Sequence, residues 1–182
     1  MGGPPLTKID PPITSRLRIQ VYLDPGLKAY VEEHMGPGRI FTTFGHAAEL
    51  GIGRLQDEIA FLQAACKSKR TPFDLEAFWH IHAAELEQSV PNPRGRPARD
   101  AKPVTERAIL ALFLHSDFLE WIHENAQPKG PFVDASPVPH AVETALRVLR
   151  ALDNESDVRS SRFEFDGDAL WTSYKQAQKA AG

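Results

Sequence analysis

Two copies of one pattern run through this chain, and that duplication constrains its fold more than any other feature. Moved by 91 positions (105 − 14), Thr14, Arg16, Leu23 and Glu33 fall on Thr105, Arg107, Leu114 and Glu124. At 94 (140 − 46), His46, Ala47, Glu49 and Leu55 meet His140, Ala141, Glu143 and Leu149. At 92 (165 − 73), Phe73, Asp74, Ala77 and Trp79 meet Phe165, Asp166, Ala169 and Trp171. Three blocks in one order argue for duplication of a single unit, and a chain built that way is expected to be pseudo-twofold.

Within one unit, the run from Arg16 to Leu23 alternates strictly. Leu17, Ile19, Val21 and Leu23 share one face, and Arg16, Arg18, Gln20 and Tyr22 share the other, which predicts a half-buried strand. Asp24-Pro25 follows, a helix cap with proline at the first helical position. Leu27, Tyr30 and Val31 have helical spacing, and Gly36-Pro37-Gly38 ends that helix. Thr42 or Thr43 caps a second helix with Ala47, Leu50, Leu55, Ile59 and Leu62 on its apolar face. Gly51 and Gly53 weaken that helix by up to about 1 kcal/mol each relative to alanine, so something is expected to pack closely there. Phe73 to Gln88 reads as a third helix anchored by Phe78 and Trp79.

The second unit repeats this order. Arg107 to Leu114 is the strand, and Phe118, Trp121 and Ile122 lie on the first helix. Ser136-Pro137 caps a second helix with Val142, Leu146, Leu149 and Leu152, and Phe165 to Ala180 is the third. Between the units, residues 89–104 are rich in proline and lack periodicity, as a linker does. The expected organisation is an N-terminal arm at 1–13, a first repeat at 14–88, the linker at 89–104 and a second repeat at 105–182.

A short strand, a capped helix, a glycine-containing turn and a second capped helix resemble the ribbon-helix-helix family of DNA-binding proteins. The resemblance covers Thr14 to about Leu62 and Thr105 to about Asp153, leaving the third helix of each unit outside it. In that family two strands form an antiparallel ribbon that enters the major groove. The layout, with both units in one chain, is similar to that of tandem accessory proteins of conjugative DNA processing. The resemblance implies an α+β fold, mainly α with a short β-ribbon: two tandem ribbon-helix-helix-like units, each with an extra C-terminal helix.

The resemblance also implies that outward strand residues read bases, here Arg16, Arg18, Gln20 and Tyr22. Arginine donates twice to guanine and glutamine pairs both ways with adenine. The same four residues also suit a plain solvated sheet face. The family holds a phosphate at the N-terminus of the second helix, where backbone N–H groups and the helix dipole favour an anion. Thr42, Thr43 and Ser136 match that position, and each is equally an ordinary helix cap. The second strand departs from the pattern, its outward set being Arg107, Ile109, Ala111 and Phe113. Either Ile109, Ala111 and Phe113 offer apolar contacts to DNA, or this half is blunted and Ile109 and Phe113 are covered by the third helix or a protein partner; a blunted second half is the expectation.

Arg94-Gly95-Arg96-Pro97 in the linker resembles the core of the AT-hook, whose arginines enter the narrow minor groove of A·T-rich DNA. Residues 89–104 carry Arg94, Arg96, Arg99 and Lys102 against Asp100, a local charge of +3 (4 − 1). This counts because the whole chain is acidic, with net charge −3 and a pI near 6.2. Any nucleic-acid contact must therefore come from local basic patches. Without specific readout, the same segment is a stiff, basic linker.

Catalytic and metal chemistry find little support. His80 and His82 are two apart on a helix and point in different directions, and no paired-cysteine or His-Glu-x-x-His pattern is present. His46 and His140 recur at matching places, which suits a structural or phosphate-facing role. Gly36-Pro37-Gly38 lacks the lysine of a phosphate-binding loop. Asp166 and Asp168 match Asp74 and Glu76 and belong to helix starts. No enzyme activity and no cofactor are expected. A single cysteine, Cys66, fits a reducing compartment. No run approaches the roughly 18 apolar residues of a membrane helix, and Met1 to Pro12 has no apolar signal core. A cytoplasmic protein is expected, either a monomeric pseudo-dimer or a homo-oligomer. Its expected partner is double-stranded DNA, in transcriptional regulation or at a plasmid or mobile-element site. The alternative is a protein-interaction adaptor using Ile109 and Phe113.

Overall fold

The computed structural model describes residues 15–89, 107–155 and 166–181. The element order is β1 (Arg16–Leu23), α1 (Pro25–Glu33), α2 (Phe44–Ser68), α3 (Leu75–Ile81), α4 (Ala83–Gln88), β2 (Ala108–His115), α5 (Ser116–Glu124), α6 (Pro137–Glu155) and α7 (Gly167–Ala180). β1 begins and ends with the alternating run. Asp24 then caps α1, its carboxylate accepting from the N–H groups of Gly26 at 2.8 Å and Leu27 at 3.2 Å. Thr43 caps α2 by accepting from the His46 N–H at 3.0 Å. Asp74 and Asp166 do the same for α3 and α7.

β1 and β2 pair antiparallel, with Arg16 opposite His115 and Leu23 opposite Ala108. Pairing within the chain satisfies the edge that a lone strand would leave open. It also merges the inward faces, so that Val21, Leu23, Leu112 and Leu114 enter one core. Leu17, at the open end of the ribbon, stays 52% exposed although it lies on the inward side. α2 runs against α6, the most extensive helix–helix contact in the fold. A Cβ on Gly51 would stand 2.7 Å from the Ala145 carbonyl oxygen, which explains why α2 carries glycine there. Gly53 faces open space and has no such packing reason.

The expected α+β arrangement of two tandem ribbon-helix-helix units, each completed by its own extra helix in a pseudo-twofold chain, is overturned. Among the described residues the chain is mainly helical, seven helices around one two-stranded antiparallel sheet and one hydrophobic core. The stretch that reads as one third helix in the first half breaks at His82 into α3 and α4. These helices do not close their own half. Trp79 of α3 packs its ring against Phe132 at 5.5 Å and Trp121 at 6.2 Å, both from the second half. α4 lies on α6, where the Leu86 carbonyl meets His140 Nε2 at 2.9 Å. In exchange, α7 packs on α3 and α2, with the Tyr174 hydroxyl accepting the Asp74 N–H at 2.8 Å. Large aromatic rings meet across the halves, Trp79 with Phe132 and Trp121 and Phe73 with Tyr174, and burying them together favours the interweaving.

Candidate functional site

The two-stranded sheet has one face in the core and one in solvent. Reading the pairs along the solvent face gives Arg16 with His115, Arg18 with Phe113, Gln20 with Ala111 and Tyr22 with Ile109. Arg18, Gln20 and Ala111 are exposed. Tyr22, Ile109 and Phe113 are exposed by 52%, 57% and 52%, so among the described residues no helix covers the outer surface of β2. Polar side chains thus come from β1 and apolar ones mainly from β2, standing side by side at each step.

Two carboxylates fix the ends of the ribbon. Glu49 of α2 accepts from the Arg16 guanidinium at 3.3 Å through one oxygen and from the His115 backbone N–H at 2.9 Å through the other. Glu143 of α6, its counterpart, accepts from Arg107 at 2.6 Å and from Arg147 at 2.9 Å. The outcomes differ. Arg16 keeps 48% of its side chain in solvent, whereas Arg107 keeps 20% and also donates to the Tyr22 carbonyl at 3.3 Å. Arg107 precedes β2, and Glu143 holds it away from the outward face. Sequence reasoning passed over both glutamates, although the repeat had already aligned them.

The start of α2 abuts the ribbon. A Cβ on Gly45 would run into the Phe113 backbone carbonyl, so only glycine lets the helix come this close. An open groove results, lined by Arg16, Thr42, Thr43, Phe44, Gly45 and Phe113. Thr42 and Thr43 are exposed at its edge, and the Thr42 N–H donates to His46 Nδ1 at 3.1 Å. Ser136 stands before α6, where its carbonyl accepts from the His140 N–H at 3.3 Å. That helix opens Pro137-Val138-Pro139, and the two prolines have no N–H to offer an anion. α2 opens Phe44-Gly45, with an N–H on each. Arg94 and Arg96 lie outside the described residues.

Half-buried His46 accepts the Thr42 N–H, whereas His140 is buried and structural. Buried His140 accepts the Val133 N–H on Nδ1 at 3.0 Å and donates from Nε2 to Leu86. Burial lowers its pKa from the usual 6.5, outweighing the Leu86 carbonyl and Glu143, which pull upward. The unfolded chain therefore binds this proton more readily than the folded one, and the stability His140 contributes is present above about pH 6.5 and lost as pH falls below it. Urea unfolding from pH 7.5 to 5.5 should show falling stability, with a shallower slope in His140→Gln. An equal slope in the variant would assign the acid sensitivity to other groups.

Among the described residues, no cluster of three or more His, Cys, Asp or Glu is arranged to hold a metal ion, and no helix is long and apolar enough to cross a membrane. Cys66 is buried beside the Tyr174 hydroxyl at 3.7 Å. The chain matches no protein-family model, no curated protein and no solved structure.

Proposed function

We propose that the chain binds double-stranded DNA by laying the β1–β2 ribbon into the major groove. The observation that carries this reading is the uncovered outer face of the ribbon, with Arg18 and Gln20 exposed beside Ala111 and Phe113. Two strands about 4.8 Å apart fit a groove about 12 Å wide. Arginine and glutamine are the side chains that make paired hydrogen bonds to guanine and adenine, while alanine and phenylalanine suit the thymine methyl. Arg16 at the start of β1, with Thr42 and Thr43 before α2, would meet the adjoining phosphates, with Ser136 a weaker counterpart because of its neighbouring prolines. The Arg94 and Arg96 segment would add sequence-tolerant contacts in a neighbouring minor groove. The protein is proposed to work in the cytoplasm, without catalysis, as a transcriptional regulator or a DNA-processing accessory factor at a plasmid or mobile element.

A salt titration of binding to duplex DNA tests this directly. Affinity should fall steeply with salt and be lost in the Arg16→Ala/Arg18→Ala protein. Arg18→Ala alone should cost about 1–3 kcal/mol on a selected site and relax base choice opposite that residue. No binding at low salt would overturn the reading. In that case the exposure of Ile109 and Phe113 favours the second reading, a protein partner docking on the apolar side of the same face.

A further inference from the structure

The two ends of the ribbon are not equivalent, and this determines what kind of DNA site the proposed reader can recognise. The corresponding contacts Arg16–Glu49 and Arg107–Glu143 relate the strands by an offset of 91 (107 − 16). With that offset, a half-turn about an axis through the facing pair Gln20 and Ala111 exchanges β1 with β2. It carries Arg18 onto Ile109, Tyr22 onto Phe113 and Gln20 onto Ala111. A ribbon of identical strands would present the same chemistry after this half-turn and read a palindrome, since operator symmetry mirrors protein symmetry. Of the outward positions within both strands, Tyr22 and Phe113 are alike in kind, whereas Arg18 meets Ile109 and Gln20 meets Ala111; the flanking Arg16 and Arg107 are the same residue held differently. One end presents Arg18 with Phe113 and the solvent-exposed Arg16. The other presents Ile109 with Tyr22, and its arginine, Arg107, is tied to Glu143.

We infer that a single chain recognises a non-palindromic duplex site, with a G·C pair under Arg18 and A·T pairs toward Ile109. Guanine offers Arg18 two acceptors, O6 and N7, and the thymine methyl is the major-groove feature that an isoleucine side chain contacts best. Gln20 facing Ala111 places an amide and a methyl at the centre, which suits an A·T pair read from both bases. One chain supplies both strands, so one chain occupies one site in one orientation. This inference rests on the proposal that the ribbon binds DNA.

Selection of bound duplexes from a randomised pool by the full chain, followed by a stoichiometry titration on the enriched sequence, tests it. The expected motif has no inverted repeat and binds one chain. Replacing the G·C pair under Arg18 should weaken binding about 5- to 150-fold. The Ile109→Arg/Ala111→Gln protein, altered only at exposed positions, should enrich an inverted repeat, because its two strands then carry matching readers. An inverted repeat selected by the unaltered chain, or two chains per site, would overturn the inference. Salt-sensitive binding to mixed DNA with no enriched motif would also overturn it, while leaving DNA binding intact. Absence of any binding at low salt would instead remove the underlying reading.

Discussion

Glu58→Ala is expected to lower folding stability by about 3–5 kcal/mol at pH 7, the range for removing one partner of a buried ion network. The Glu58 carboxylate sits between α2 and the break at the α3–α4 junction. One oxygen accepts from Arg54 Nε at 2.7 Å and the other from His82 Nε2 at 2.7 Å. The Arg54 and Glu58 side chains are each about 5% exposed, so water cannot replace the lost bonds. The variant would leave a guanidinium and an imidazole in the core without the carboxylate that compensates them.

The pH dependence of that loss identifies its origin. Burial by itself pushes the Glu58 carboxyl up, but the hydrogen bond and charge of His82, followed by those of Arg54, outweigh it and hold the group below its ordinary 4.5. A depressed carboxylate contributes stability that is present above the unfolded-state value and lost as pH falls through the folded one. The difference between the native protein and Glu58→Ala, measured by urea unfolding, should therefore be largest near pH 7 and shrink below about pH 4.5. A constant difference across that range would mean that the variant's defect is lost packing rather than lost charge.

This network also marks where the sequence stops being informative. Arg54 and Glu58 are four apart, the spacing of an ordinary solvent-facing helical pair, and nothing local says that they will be buried with His82 beside them. His82 lies in a run whose helical periodicity continues to Gln88, so its role at a helix break is invisible until Glu58 is beside it. Local chemistry was legible: the alternation from Arg16 to Leu23, Asp24 before proline and a threonine, Thr42 or Thr43, before α2 each specify an element through their own neighbours, with the structure settling on Thr43. Placement of α3, α4 and α7 was not, because it depends on contacts between residues far apart in the chain, such as Trp79 with Phe132. For the ribbon, alternation divided the side chains between two faces. It could not say how far each arginine would be drawn out of solvent by its carboxylate, and so Arg16 and Arg107 read alike in sequence and differ in the fold.

Phe132→Ala is expected to cost about 3–5 kcal/mol, the usual range for deleting a buried aromatic ring, and to do so in a single unfolding transition. Phe132 is fully buried, with its ring 5.5 Å from Trp79, 5.9 Å from Trp121 and 5.8 Å from His140. Trp79 comes from the first half and the other two from the second, so the cavity would open at the junction of the halves. Were these halves separate units, the variant would melt the second and spare the first, and tryptophan fluorescence would then precede loss of helical circular dichroism. One shared core predicts coincident curves at a lower midpoint, the signature of two-state unfolding. Two resolved transitions would show that the halves hold independently despite the shared ribbon. A single transition also bears on the proposed DNA binding: β1 presents Arg18 and Gln20 only while paired with β2, so under that proposal weakening the aromatic junction should reduce the binding-competent population without altering the preferred sequence.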